Sequence, residues 1–310
     1  MFGNSLVLGL KEMENLPSYL DSMSQAERES VAAIETRMEI SEATDLSVLT
    51  CLPNLRILCI GQVRDDESCA QIAKIGNLEC LRFQSWHTTS RGLEHLKSLT
   101  KLRTLYLYGN PPLFGGAEFY SFAAEFSSLN TLHLDYSSSE DGIRYLAALE
   151  ELHDLGAVCE NFSANAMKSI SRFCQLKKLG IIVDNTLDPA VLKCFTALQN
   201  LEDLYVHFSD TDIEQTSDCL RNISQIPHLK RLRLMGDSCD SLESLRPLAE
   251  SGSLEDLQLN RYDRLNLMER AALSFEFPIL EVSQNVDRRV LYYSENNALF
   301  QLQKMDLMSV

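Results

Sequence analysis

Positive charge is scarce in this chain. Its 310 residues include 28 Lys and Arg against 44 Asp and Glu, which gives a formal net charge of −16. Because nucleic acids and anionic membranes are bound by concentrated basic surfaces, we expect neither as a partner. A basic protein partner is compatible with the acidity, and so is a role for the charge in solubility alone.

Long hydrophobic runs are absent as well, and the cysteines show no ordered pattern. No stretch approaches the roughly 18 apolar residues that a membrane helix needs, and the apolar segment 6–10 is too short for a signal-peptide core. The nine cysteines include no Cys-x-x-Cys pair and no zinc-ligand spacing with a histidine. Scattered, unpaired cysteines are typical of a reducing compartment, so we expect a cytoplasmic protein.

Catalytic and metal-binding motifs are also missing. The sequence has no nucleophile elbow, no phosphate-binding loop and no His-Glu-x-x-His motif. The acidic segments 65–67, 210–214 and 237–240 lack the spacing of a calcium-binding loop, and we interpret them as caps of helix amino ends. We therefore expect no enzyme activity, no cofactor and no metal site.

What the chain does contain is a repeat. Nine segments have the form L-x-x-L-x-L or a close variant of it: 55–60, 78–83, 102–107, 129–134, 152–157, 176–181, 201–206, 229–234 and 254–259. Their last apolar position recurs every 23 to 28 residues between Ile60 and Leu259. Weaker copies stand at 277–282 and 302–307, and we interpret Met38-Glu-Ile40 as the strand of an amino-terminal cap.

Each repeat predicts a strand followed by a helix. The two apolar residues of L-x-L share one face of a strand, and the residue between them points to the other face. The connecting segments begin with Ser or Asp and then carry apolar residues every three or four positions, which predicts helices at 90–99, 139–149 and 188–198. The segment 24–34 predicts a helix too, because Ser24 and Glu27 have the spacing of a capping box.

These repeats resemble the leucine-rich-repeat family over roughly residues 38 to 307. The resemblance implies an α/β solenoid, a horseshoe with a parallel sheet on its concave face and helices on its convex face. The repeat lengths are closer to those of the helix-backed, ribonuclease-inhibitor-like subclass than to shorter repeats. The family's asparagine after the strand is matched only at Asn110 and Asn285, which predicts irregular turns.

The expected organisation has three parts. Residues 1–37 are expected to form an amino-terminal helical cap and residues 38–260 the leucine-rich-repeat solenoid. Residues 261–310 are expected to form irregular repeats and a carboxy-terminal cap. No internal linker divides the repeats.

Binding residues are expected on the concave face, in two clusters. These are Tyr106, Tyr108, His133 and Asp135 in the first cluster, and Tyr205, His207, Arg233 and Met235 in the second. Tyr and Arg are frequent at binding hot spots, although Tyr also suits an exposed strand by its β propensity alone. Gly156 and Gly180 lie between the clusters in sequence and would form a shallow saddle. We expect the paired substitutions Tyr106 with His133, or Tyr205 with Arg233, to weaken binding without lowering stability.

The sequence thus predicts a protein-protein interaction module that binds a protein partner through the concave face. A basic partner would match the charge. The alternative is an adaptor, effector or ubiquitin-ligase subunit, in which the repeats select a target and the terminal region 261–310 recruits machinery.

Overall fold

A computed structural model describes residues 6–10, 16–36, 45–63, 65–85, 87–108, 117–134, 140–157, 163–239, 241–260, 265–276 and 281–284. The described residues fall into two compact units, an N-terminal unit over 6–134 and a C-terminal unit over 140–284. The predictions for Met38–Ile40, for Asp135 and for the repeat at 302–307 lie outside the described residues.

Parallel strands are the main element of both units. The N-terminal unit contains β1 (Leu6–Leu10), β2 (Val31–Thr36), β3 (Ile57–Val63), β4 (Cys80–Ser85), β5 (Thr104–Tyr108) and β6 (Thr131–Leu134). The C-terminal unit contains β7 (Asp154–Ala157), β8 (Lys178–Asp184), β9 (Asp203–Ser209), β10 (Arg231–Met235), β11 (Asp256–Leu259) and β12 (Glu281–Gln284). Within each unit every strand pairs in parallel with the strand that follows it in sequence.

The strand register explains why the leucines recur. It aligns the second leucine of each motif across neighbouring strands: Leu58, Leu81, Leu105 and Leu132 in the N-terminal unit, and Leu155, Leu179, Leu204, Leu232 and Leu257 in the C-terminal unit. Each of these side chains is at most 2% exposed. A single repeat cannot bury its own apolar face, so stacking builds a continuous core within each unit. Each buried leucine contributes about 1.5–3 kcal/mol. The chain therefore has the α/β leucine-rich-repeat solenoid fold.

Short helices connect the strands. The α-helices are α1 (Leu16–Ser22), α2 (Gln25–Ser30), α3 (Asp66–Ile72), α4 (Ser90–Leu96), α5 (Ala117–Ala123), α6 (Ala164–Ile170), α7 (Ile213–Ile223), α8 (Leu242–Leu245) and α9 (Leu267–Glu276). The 3-10 helices are Leu46–Cys51, Glu140–Ala148, Pro189–Ala197, Asp237–Cys239 and Arg246–Glu250. None of the helices among the described residues has the length and apolar composition that a membrane crossing requires.

Two of the predicted helices have a different geometry from the one expected. The segment at 90–99 contains the α-helix α4, but 139–149 and 188–198 contain the 3-10 helices Glu140–Ala148 and Pro189–Ala197. A 3-10 helix rises about 2.0 Å per residue against 1.5 Å for an α-helix, so a short connection spans more distance in this form. The apolar spacing is similar in the two helix types and does not distinguish them.

The amino-terminal segment contains strands as well as helices. The capping box of Ser24 and Glu27 is confirmed, but α2 ends at Ser30 instead of continuing to Ile34. Val31 begins β2, which pairs with β3 on one side and with β1 on the other. The β-branched side chains of Val31 and Ile34 are fully buried, which favours a strand over a further helical turn.

The last described strand has a register that differs from the motif alignment. The weak copy at 277–282 predicts that Val282 is equivalent to Leu259, but the structure pairs Val282 with Leu257 and Gln284 with Leu259. The prediction was therefore wrong by two residues, one full period of a strand. A shift of two keeps the same side chains on the same face, so the apolar pattern alone could not detect it.

The cysteines of the described residues are free thiols. Those at 59, 69, 80, 219 and 239 are buried and act as small apolar side chains in the repeats. Burial raises the pKa of Cys69 and that of Cys219 to about 12, which suppresses the reactive thiolate form of both.

Candidate functional site

Alternation along the strands of the C-terminal unit separates a buried face from an open one. In β9, Leu204, Val206 and Phe208 are buried, whereas Tyr205 and His207 are partly exposed. We call the face that carries Tyr205 and His207 the open face. Its residues form three rows across the strands: a charged row of Asp154, Lys178, Asp203, Arg231 and Asp256, a central row of Gly156, Gly180, Tyr205, Arg233 and Gln258, and an outer row of Ile182, His207 and Met235.

The charged row alternates in sign, and ion pairs join Arg231 to its neighbours on both sides. Arg231 Nε lies 2.8 Å from Asp256 Oδ2, and Arg231 Nη1 lies 3.3 Å from Asp203 Oδ2. The hydrogen bond to Asp256 is the main reason why the pKa of Arg231 is raised above its ordinary value. Arg233, from the central row, places Nη2 at 3.0 Å and Nε at 3.1 Å from Asp203 Oδ1. Both arginine charges are thus compensated by carboxylates of the same face.

The second predicted cluster is brought together by this register. Tyr205 is paired with Arg233, and His207 is paired with Met235. Tyr205 Oη donates a hydrogen bond to Met235 Sδ at 3.1 Å, which fixes the orientation of the tyrosine ring. All four predicted residues therefore lie on two adjacent strands, and each is partly exposed.

The glycines of the central row leave space beside the tyrosine. Gly156 and Gly180 are paired in register, and Gly180 is paired with Tyr205. A Cβ added at Gly180 would lie 3.6 Å from Gly156 Cα and 3.7 Å from Tyr205 Cδ1, which are ordinary contact distances. One flank of the Tyr205 ring therefore faces main chain with no side chain in between, as the expected saddle requires.

A pocket of about 530 Å³ opens where β9 and β10 end. Its walls are the end of β9 with the loop that follows, the end of β10 with the 3-10 helix that follows, and the residue after β11: His207, Phe208, Ser209, Asp210, Thr211, Met235, Gly236, Asp237, Ser238 and Asn260. His207 and Met235 belong to both the pocket and the outer row of the open face. Sequence reasoning missed this pocket, because three separate repeats contribute to it.

Two unusual backbone conformations shape the pocket. Asp210 has a φ of 56°, and Gly236 has a φ of 133°. A Cβ at Gly236 would lie only 2.4 Å from the carbonyl oxygen of Phe208, so the β9 and β10 ends approach more closely than any other residue would allow. A single glycine directly after a strand motif is the sequence signal that could have indicated this close approach.

The first predicted cluster lies in the N-terminal unit and is partly buried. The rings of Tyr106 and Tyr108 are stacked with centroids 6.4 Å apart, and the ring of His133 lies 4.7 Å from that of Tyr106. The Arg82 guanidinium lies 5.3 Å from the centroid of the Tyr108 ring. Tyr106 is only 2% exposed, whereas Tyr108 and His133 are partly exposed.

This geometry changes what the paired substitutions are expected to do. Replacing buried Tyr106 by alanine would open a cavity, and replacing Arg233 would remove a partner of Asp203, whose side chain is 5% exposed. We therefore expect both substitutions to lower stability, in contrast to the expectation from the sequence. Tyr205, His207 and Tyr108 are better probes of binding.

Two of the three acidic segments cap helices, as predicted, whereas the third, at 237–240, is not shown to do so, and α8 is capped by Ser241 instead. Asp65 accepts a hydrogen bond from the backbone N–H of Ser68 at the start of α3, and Asp212 accepts one from Gln215 at the start of α7. Asp237 lies in the 3-10 helix Asp237–Cys239, at the edge of the pocket. Within the described residues, no group of three or more His, Cys, Asp or Glu side chains is placed to hold a metal ion.

Comparison with known proteins finds a likeness among solved structures. No family model matches the chain, and no curated protein matches its sequence. Among solved structures, the chain is similar to an internalin from Listeria monocytogenes, with 17% sequence identity and a TM-score of 0.40, over 89% of this chain and 95% of that chain. The assignment of the fold rests on the repeat motifs and the strand register described above.

Proposed function

We propose that this protein is a protein-binding module whose partner contacts the open face of the C-terminal unit. The observation that carries the proposal is the group of Tyr205, His207 and Met235, three large and partly exposed side chains on two adjacent strands. Aromatic side chains in such positions are typical of binding hot spots, because they bring much contact area for little conformational entropy.

Tyr205 and Met235 are held in place before a partner arrives. The bond from Tyr205 Oη to Met235 Sδ and the pairing of Arg233 with Asp203 restrict rotamers on both strands. A surface that is ordered in the free protein loses less entropy on binding, which favours affinity. The glycines at 156 and 180 leave room beside Tyr205 for a protruding element of the partner.

We further propose that the partner is basic. The chain has a net charge of −16, and the two arginines of the open face are already compensated by Asp203 and Asp256. The three carboxylates of the charged row are balanced by Lys178 and the two arginines, so the attraction for a basic partner comes from the rest of this acidic chain, including Asp210 and Asp237 in the adjoining pocket. Such attraction raises association rates and favours the correct partner over others.

The first cluster is proposed as a second contact area in the N-terminal unit. Tyr108 and His133 would contact the partner, while buried Tyr106 would support them by ring contacts with both. Asp135, which lies outside the described residues, remains part of this proposal on sequence grounds alone.

The binding surface can be tested by affinity capture with a matched control. The test variant is Tyr205→Ala/His207→Ala. The control is Tyr145→Ala/His228→Ala, which removes the same two residue types from exposed positions on connecting segments of the same unit. We expect the wild type and the control to capture the same basic protein, and the test variant to lose at least about tenfold in affinity for it. Equal affinity of all three proteins would contradict the proposed surface.

A specific observation supports the adaptor alternative as a second candidate. In α9, within the region 261–310, Leu267, Met268 and Phe275 are 84%, 80% and 86% exposed. Large apolar side chains grouped on one short helix are typical of a contact surface. If this helix recruits a further protein, Leu267→Ser/Phe275→Ser should abolish that recruitment while capture of the target through Tyr205 continues. Unchanged recruitment would exclude the helix from that role.

A further inference from the structure

The pocket at the carboxy ends of β9 and β10 is continuous with the open face. His207 and Met235 line the pocket and also form the outer row of that face. Tyr205 Oη bonds to Met235 Sδ, so the end of the tyrosine side chain lies against a residue of the pocket lining. A partner that covers Tyr205 could therefore extend a side chain into the pocket while it stays in contact with the open face.

The walls of the pocket are formed by bonded and sterically fixed groups. The hydroxyl oxygens of Thr211 and Ser238 lie 2.9 Å apart, and each lies within 3.0 Å of the hydroxyl of buried Thr216. Gly236 holds the β10 end against Phe208. The cavity is thus part of the folded repeat and does not depend on a partner for its formation.

The charge of the lining selects the class of side chain. Two of the lining residues are acidic, Asp210 and Asp237, and none of the ten described residues that line the pocket is Lys or Arg. An anionic group would enter against two carboxylates, whereas a cation would gain from both. The thioether of Met235 belongs to the lining, and Tyr205 lies against it, so these two side chains can cover an aliphatic stem or lie beside a cation.

We propose that this pocket binds an arginine or lysine side chain of the protein partner. Only these side chains combine a long apolar stem with a terminal positive charge at neutral pH. The inference rests on the proposed function, which it deepens, because it names the part of a basic partner that enters the repeat surface. The carboxylates of Asp210 and Asp237 bind the charge, and Met235 contacts the stem.

The test uses small probes that need no partner protein. The full chain, labelled with ¹⁵N, is titrated with Nα-acetyl-arginine amide, Nα-acetyl-norleucine amide and Nα-acetyl-glutamate amide. We expect the arginine probe to give saturable shifts of the backbone amides at 209–211 and 236–238, and the other two probes to give none there.

Two variants and a control make the result specific. Asp210→Asn/Asp237→Asn should weaken binding of the arginine probe at least about fivefold, the loss expected for removing exposed charge partners. Asparagine tolerates the left-handed conformation of residue 210, so the fold is retained. Glu250→Gln, an exposed change on the Arg246–Glu250 helix, should leave the titration unchanged.

The outcomes separate this inference from the proposed function. Equal shifts from the norleucine probe, or an arginine titration that is unchanged in Asp210→Asn/Asp237→Asn, would overturn the pocket as a cation site. That result would not affect partner capture that depends on Tyr205 and His207. A selective arginine response with capture insensitive to Tyr205→Ala/His207→Ala would instead overturn the open-face contact and support the pocket.

Discussion

At Gly236 the backbone has a φ of 133°, and an added Cβ would lie 2.4 Å from the carbonyl oxygen of Phe208. Both the conformation and the close approach exclude a side chain. We expect Gly236→Ala to lower the free energy of unfolding by about 2–4 kcal/mol, measured by urea denaturation. Gly252→Ala is the matched control, because nothing lies within 4 Å of its Cβ position, and it should change stability by no more than about 0.5 kcal/mol. Similar losses of stability for the two substitutions would contradict the positive φ of Gly236 and its close contact with Phe208.

Asp203 has a structural role that its neighbours depend on. Its side chain is 5% exposed and accepts hydrogen bonds from Arg231 and Arg233. Removing it leaves the guanidinium of Arg233, 12% exposed, without an ion-pair partner among the residues that the structure describes. Because Arg231 is nearly half exposed and retains Asp256, we expect Asp203→Ala to cost about 2–3 kcal/mol, below the usual range for a fully buried pair.

The comparison for Asp203 is an exposed pair of the same unit. Asp218→Ala removes the ion pair between Asp218 and Arg221 on α7, both of which are about half exposed. Such a pair contributes about 0–1 kcal/mol, so this variant should be nearly as stable as the wild type in chemical denaturation. Equal losses for the two variants would mean that the open-face ion pairs are no stronger than a surface pair.

At the scale of elements, the caps decide where helices begin. Asp212 precedes α7, Ile213–Ile223, and its carboxylate accepts the backbone N–H of Gln215 at 2.7 Å. We expect Asp212→Ala to lower the free energy of unfolding by about 1 kcal/mol, since a free N–H remains at the helix start. Asp212→Ser keeps a capping oxygen and should lose only a few tenths of a kcal/mol in the same thermal or urea measurement. If Asp212→Ser lowered the free energy of unfolding as much as Asp212→Ala, capping of α7 would not be what Asp212 contributes to stability.

The elements differ in how well the sequence predicts them. The repeat motif predicts the nine strands β3 to β11, and all nine are confirmed, because each carries the leucine that stacking buries in the core. β2 is not predicted, since the segment 31–36 lacks the L-x-x-L-x-L motif and follows a capping box that favours a helix. The α-helix and 3-10 connections share one apolar spacing, so their geometry depends on the distance between strands, which the sequence does not contain.

Some features of the candidate site can also be predicted from the sequence, and others cannot. The sequence places Tyr205, His207, Arg233 and Met235 on one face, and the register confirms their proximity. The charged row could also be predicted, since the residue before the second leucine of each motif alternates in sign from 154 to 256. The burial of Tyr106 and the pocket at Gly236 could not be predicted from the sequence. Both depend on how side chains and loops of separate repeats pack together.

At the scale of the whole molecule, the fold predicts that a core substitution destabilises mainly its own repeat and the neighbouring repeats. In a solenoid each repeat contacts mainly its neighbours, so stability is a sum of repeat terms and nearest-neighbour terms. Leu81 in β4 and Leu204 in β9 occupy the same motif position in the N-terminal and C-terminal units, and both are fully buried. Replacing either by alanine should cost about 2–5 kcal/mol.

Hydrogen exchange measured by mass spectrometry can show which strands lose protection in each variant. We expect Leu81→Ala to reduce protection in β3, β4 and β5, and Leu204→Ala to reduce it in β8, β9 and β10, with smaller effects as the number of intervening repeats grows. Each variant serves as the control for the other, because the chemical change is identical and only the position differs. A uniform loss of protection along the chain in both variants would show instead that the described strands unfold as one cooperative block, and nearest-neighbour terms would then not describe this solenoid.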